Sequence, residues 1–107
     1  MYEVIEHTDL ILGRTFVLPC FDKSVTDLEL IADYQDVIND AIYSAISILA
    51  SEPKWEAVPC FLTDDVIFEV RRDKIDNQYG PCLSYYQESE EYEICSDLVR
   101  LYDIIKK

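Results

Sequence analysis

Polar and apolar residues alternate from Tyr2 to His7, the period of a half-buried strand. Thr8-Asp9 reads as a turn, and Leu10 to Leu18 is rich in β-branched and aromatic residues, with Gly13 placed as a bulge. A first hairpin is expected there. The period then changes. Leu28, Ile31, Tyr34, Val37, Ile38, Ala41, Ile42, Ala45, Ile48 and Leu49 recur at helical spacing, which predicts one helix from about Thr26 to Ser51. Thr26 with Glu29 three residues on is a capping-box pattern, and Pro53 marks the stop. Such a helix is nearly 40 Å long at about 1.5 Å per residue, enough to cross a sheet.

Extended character returns at Trp55–Leu62 and Val66–Arg71, separated by the turn-like Thr63-Asp64-Asp65. The stretch Asp76-Asn77-Gln78-Tyr79-Gly80-Pro81 reads as a loop, and Cys82 to Tyr86 as a further strand. From Ser89 the pattern is helical again, with Tyr92, Cys95, Leu98, Val99, Tyr102 and Ile105 on one face. Glutamates at its start and lysines at its end suit the helix dipole. The expected fold is α+β, a two-layer sandwich. It has a mostly antiparallel sheet of about four to five strands, with a long central helix and a C-terminal helix on one face. At 107 residues, residues 1–107 are expected to form one domain.

Charge changes the picture most. The chain holds 22 acidic and 9 basic residues, a formal net charge of −13, whereas about 2 to 8 in magnitude is comfortable for a small domain. Such an excess repels phosphate and anionic lipid, so direct nucleic-acid and membrane binding are disfavoured and basic protein surfaces favoured. The plain alternative is acidity that serves solubility alone. The N-terminal residues lack a signal-peptide pattern, and no stretch approaches the roughly 20 apolar residues of a membrane span. A cytosolic location is therefore expected. Cys20, Cys60, Cys82 and Cys95 are widely spaced and read as buried thiols.

Few residues suggest chemistry. His7 is the lone histidine, and nothing in the sequence marks a cysteine or serine as its partner. The cysteines lack the paired spacing of zinc sites. Asp64-Asp65 followed by Glu69 suits a divalent metal only weakly. Glu69-Val70-Arg71 faintly resembles the tail of a nuclease metal motif, with arginine where lysine belongs. No catalytic residue, metal site or cofactor is assigned, and the chain is read as a non-enzyme.

The sharper feature is acidic. Glu29, Asp33, Asp36 and Asp40, spaced by four, three and four, share one face of the expected helix. Adjacent carboxylates on such a face lie about 5–6 Å apart, broadly the spacing of phosphates along a nucleic-acid strand. No lysine or arginine occurs between Lys23 and Lys54 to offset them. A second cluster, Glu88, Glu90, Glu91 and Glu93, adjoins Tyr85, Tyr86 and Tyr92, and tyrosines suit interfaces. Each cluster also has the plain reading of a solvated face or a favoured helix start.

Leu18-Pro19-Cys20-Phe21 and Val58-Pro59-Cys60-Phe61 are near copies, and Pro81-Cys82-Leu83 echoes them; edge strands with buried cysteines would explain the pair. In size and charge the chain is similar to phage-encoded inhibitors of the anti-restriction and anti-CRISPR kind, and to immunity proteins paired with nuclease toxins. That likeness is of composition, so no residue roles carry over. The leading expectation is an acidic inhibitor that blocks a basic, nucleic-acid-handling protein by nucleic-acid mimicry. Its contacts are Glu29, Asp33, Asp36 and Asp40 first, and the second glutamate cluster with Tyr85 and Tyr86 next. The alternatives are an immunity protein, or an interaction module using tyrosine-rich strands. A homodimer through the proline-bearing edges belongs with the latter.

Overall fold

A computed structural model describes residues 2–63 and 66–107, with all their side chains but those of Asp27 and Ile31. Strand β1 (Tyr2–Asp9) and strand β2 (Arg14–Phe21) form the hairpin. Helix α1 (Asp27–Asp33) and helix α2 (Gln35–Ser51) follow, then strands β3 (Ala57–Thr63) and β4 (Val66–Arg71). A 3-10 turn at Arg72–Lys74 leads into helix α3 (Ile75–Glu88), and helix α4 (Tyr92–Lys106) ends the chain.

The fold is a two-layer α+β sandwich over a four-stranded mixed sheet in the order β1-β2-β3-β4. Its shortest extent, 19 Å, is what one sheet and one helical layer need. The β1–β2 and β3–β4 pairings are antiparallel; β2 and β3 run parallel. Helix α2 packs across β3 and also reaches β2 and β4, while α3 and α4 close on α2 and on each other. The core holds Phe21, Ile46, Leu49, Val58, Val70, Ile75, Cys82 and Leu98, each almost wholly buried. No helix among the described residues is long and apolar enough to cross a membrane.

Several local expectations are corrected. The hairpin turn is Leu10–Gly13, later than Thr8-Asp9, because the Asp9 carboxylate accepts from the backbone N–H of Ile11 (2.9 Å) and Leu12 (3.0 Å). Gly13, at φ +66°, supplies the left-handed residue that closes this turn and is no bulge. The irregularity in the sheet falls instead between Pro59 and Phe61. The expected single helix is two, broken at Tyr34 (φ −123°, ψ 21°). Neither glycine nor proline causes the break. The Tyr34 ring packs edge-on against Phe21 (5.2 Å) and Tyr2 (5.8 Å), and that contact turns the chain.

The expected loop at Asp76–Pro81 and strand at Cys82–Tyr86 are both helix α3, with Pro81 inside it. An internal proline costs a helix roughly 3 kcal/mol. Burial of Ile75, Cys82 and Tyr86 opposes that cost, as does Gln78, which accepts from Arg71 N (2.9 Å) and donates to Glu69 O (2.7 Å). On α4 the buried stripe is Leu98, Leu101 and Ile105, whereas Tyr92 and Val99 face outward. The turn at Asp64-Asp65 lies outside the described residues. The two Pro-Cys-Phe segments lie on the interior strands β2 and β3, not on edges, where Cys20 pairs with Leu62 and Phe21 with Thr63.

Arg72 ties the layers together. Its guanidinium donates to the carbonyls of Leu49 (3.1 Å) and Glu52 (3.0 Å) at the end of α2, and to Trp55 O (2.9 Å). It adds a charged donor to carbonyls that already accept from the N–H of Glu52 (3.3 Å) and Trp55 (3.0 Å), and places a cation at the negative end of the dipole. Charged hydrogen bonds of this kind each contribute about 1.5–3 kcal/mol. Arg72→Leu is expected to lower the unfolding free energy by about 2–4 kcal/mol in urea titrations. Arg72→Lys recovers little of it, because one ammonium cannot reproduce the fork.

Candidate partner-binding site

The break at Tyr34 divides the acidic face in two. Glu29 and Asp33 lie one turn apart on α1, and Asp36 and Asp40 one turn apart on α2; all four residues are exposed. A carboxylate spacing of about 5–6 Å holds within each pair and does not run through the break. Their duties differ. Glu29 and Thr26 cap α1 together: Glu29 N donates to Thr26 Oγ1 (3.2 Å), which donates to Glu29 Oε1 (3.3 Å). Asp40 accepts a hydrogen bond from Tyr86 Oη. The salt bridges among the described residues take their acids from Glu69, Asp73, Asp76 and Asp97, so Asp33 and Asp36 are outside them.

The second cluster gathers around the α3–α4 turn. Glu88 ends α3, Glu90 adopts φ 60°, Glu91 precedes α4 and Glu93 lies in its first turn; all are exposed. Tyr85 and Tyr86 stand on a helix, not a strand. Tyr86 is 3% exposed and Tyr85 half-buried against it, so Tyr86 offers no surface to a partner.

A cleft of about 450 Å³ opens between β2 and α2, and sequence reading gave no sign of it. Arg14 to Pro19 border it without a gap along β2. Pro59 and Cys60 of β3 line it from below, and Val37, Ala41, Ser44 and Ile48, one helical face of α2, stand opposite with Asp40 beside them. Its size falls within the roughly 300–1,000 Å³ of small-ligand sites. The cause lies in the strands. Antiparallel pairing with β1 covers all of β2, but among the described residues pairing with β3 covers only Cys20 and Phe21. Pro19 has no N–H to offer, and the register of β3 against β4 shifts between Pro59 and Phe61.

No family model, curated protein or solved structure matches this chain. Its site is therefore read from its own chemistry. Among the described residues no three or more histidine, cysteine, aspartate or glutamate side chains gather as a metal site. Burial pushes the Cys60 and Cys82 thiols up to about 12, so both stay protonated and weakly nucleophilic at neutral pH. His7 stands opposite Phe16 on the hairpin ladder.

Behind the site, three tyrosine-to-aspartate hydrogen bonds join the helices in a ring. Tyr43 on α2 donates to Asp97 on α4 (2.6 Å), Tyr102 on α4 donates to Asp76 on α3, and Tyr86 on α3 donates to Asp40 on α2. The bond to Asp97, with burial, raises the Tyr43 hydroxyl to about 12. The same bond, with Arg100, holds Asp97 below the ordinary carboxylate value, and Tyr102 with Lys106 does so for Asp76. A raised tyrosine contributes stability that is complete below pH 10 and lost as pH rises through about 12. A lowered carboxylate contributes stability that is complete above pH 3.8 and lost as pH falls below it. The stability difference between the wild type and Tyr43→Phe should thus be flat from about pH 5 to 9 and shrink at both extremes. Urea unfolding across pH checks this; a difference that stays constant up to pH 12 contradicts it.

Proposed function

We propose that this chain is a non-catalytic acidic binding protein that occupies a basic surface or groove on a protein partner, of the class that handles nucleic acid. The observation that carries this reading is the exposed carboxylate face of α1 and α2. Asp33 and Asp36 lie outside the salt bridges described above, and no lysine or arginine occurs on either helix. A helix shaped for stability alone would intersperse basic residues at i,i+4. Like charges held together without them favour an oppositely charged partner and hasten encounter with it. The face consists of two short acidic pairs set at a break, so mimicry of phosphates is local and not a straight ridge. An immunity protein that seals a nuclease toxin uses the same physics.

Association of this kind weakens with ionic strength, because exposed charges are screened within about 8–10 Å at physiological salt. The test is affinity capture from bacterial lysate on the immobilised protein, with the Asp33→Asn/Asp36→Asn variant in parallel. A nucleic-acid-handling protein should be released from the wild type by moderate salt. The variant should bind it about two- to thirtyfold more weakly, at roughly 0.2–1 kcal/mol per exposed charge. Equal affinity for wild type and variant would falsify the reading.

A further inference from the structure

We infer that the cleft between β2 and α2 receives an extended, basic segment of the partner, which adds as a strand along the open edge of β2. This deepens the reading above and rests on it. The backbone carries the inference first. β2 is interior in the strand order, yet on its β3 side only Cys20 and Phe21 have strand partners among the described residues. Alternate backbone groups from Arg14 to Leu18 therefore point away from β1 into the cleft without a ladder. A row of such donors and acceptors is a template for another strand, and main-chain bonding of this kind gives affinity with little demand on sequence. Pro19 sets one end of it, since it has no N–H.

The walls suit a main chain in extended form. Ala41, Ser44 and Ala45 face the cleft from α2 and leave room for a backbone. Val17 borders it while 67% exposed, aliphatic surface that an added strand would cover. Charge then selects the occupant. Asp40 is the carboxylate at the border, whereas the cation there, Arg14, is held over the rings of Phe16 (5.4 Å) and Trp55 (5.7 Å). A segment carrying lysine or arginine finds Asp40 and the acidic helices beside it. A second copy of this chain brings another net charge of −13 to the same place and is repelled.

A display library of random twelve-residue peptides, selected on the full chain, tests the proposal. Enriched peptides should alternate apolar residues with lysine or arginine and lack proline at their centre. Methylating alternate backbone nitrogens should cost them at least tenfold in affinity. Ser44→Trp fills the cleft from an exposed position and should cost at least tenfold with circular dichroism unchanged, and Ala41→Leu should weaken binding in the same direction. Basic peptides that tolerate Ser44→Trp and methylation, but lose affinity in Asp33→Asn/Asp36→Asn, would overturn the strand proposal and leave the acidic-face reading standing. If no basic peptide is enriched, the strand proposal fails, while the acidic-face reading is decided by the capture experiment above. A dimer on a sizing column that Ser44→Trp dissolves would assign the cleft to a second copy and overturn the proposal as well.

Discussion

The rest of the structure depends on how little joins β2 to β3. Among the described residues, the ladder between β2 and β3 consists of the pairs Cys20–Leu62 and Phe21–Thr63. With so short a seam, the helical layer across the strands adds to what holds the sheet together. α2 spans β2, β3 and β4, and Arg72 fastens its end to the Trp55 carbonyl. Where the seam ends, the aromatic cluster of Phe21, Phe61, Tyr34 and Tyr2 fills the corner. The same cluster breaks the helix at Tyr34. The prolines that limit the ladder thus set the dependence on α2 and the cleft beside it, and the aromatic cluster sets the break before it.

The acidic residues divide their work around that frame. Asp40, Asp76 and Asp97 accept tyrosine hydroxyls and hold the three larger helices in a ring. Glu29 caps α1. Asp33 and Asp36 face solvent on either side of the break. A net charge of −13 costs self-repulsion in the folded state, and the ring shows how part of it is turned to cohesion. Of the acidic residues on α2, Asp40 is the one that borders the cleft, and the second exposed glutamate cluster lies apart from it at the α3–α4 turn.

The fold class was legible from approximate alternation in Tyr2–His7, the apolar, β-branched and aromatic run Val66–Val70, and helical spacing from Leu28 to Leu49 and from Cys95 to Ile105. Helix α3 was legible in part. Ile75, Tyr79, Cys82 and Tyr86 keep helical spacing, but Gly80-Pro81 in their midst outweighs it when turn signals are read locally. The break at Tyr34 had no local signal, since a tertiary ring contact makes it. The acidic residues of the site were visible as a pattern, though not their separate duties. The cleft was hidden for a deeper reason. It exists where a pairing between distant strands is missing, and the only trace in sequence was the doubled Pro-Cys-Phe segment, whose two copies meet as neighbouring strands.

Amide hydrogen exchange along β2, read by NMR, tests this most directly. An edge paired with β1 alone should show alternation from Thr15 to Leu18, slow amides that point to β1 between fast ones that point to the cleft, followed by protection at Cys20 and Phe21. Uniform protection from Thr15 through Phe21 would mean that the ladder to β3 runs on past the prolines. The edge would then be closed, and neither the cleft nor its occupant could be as described.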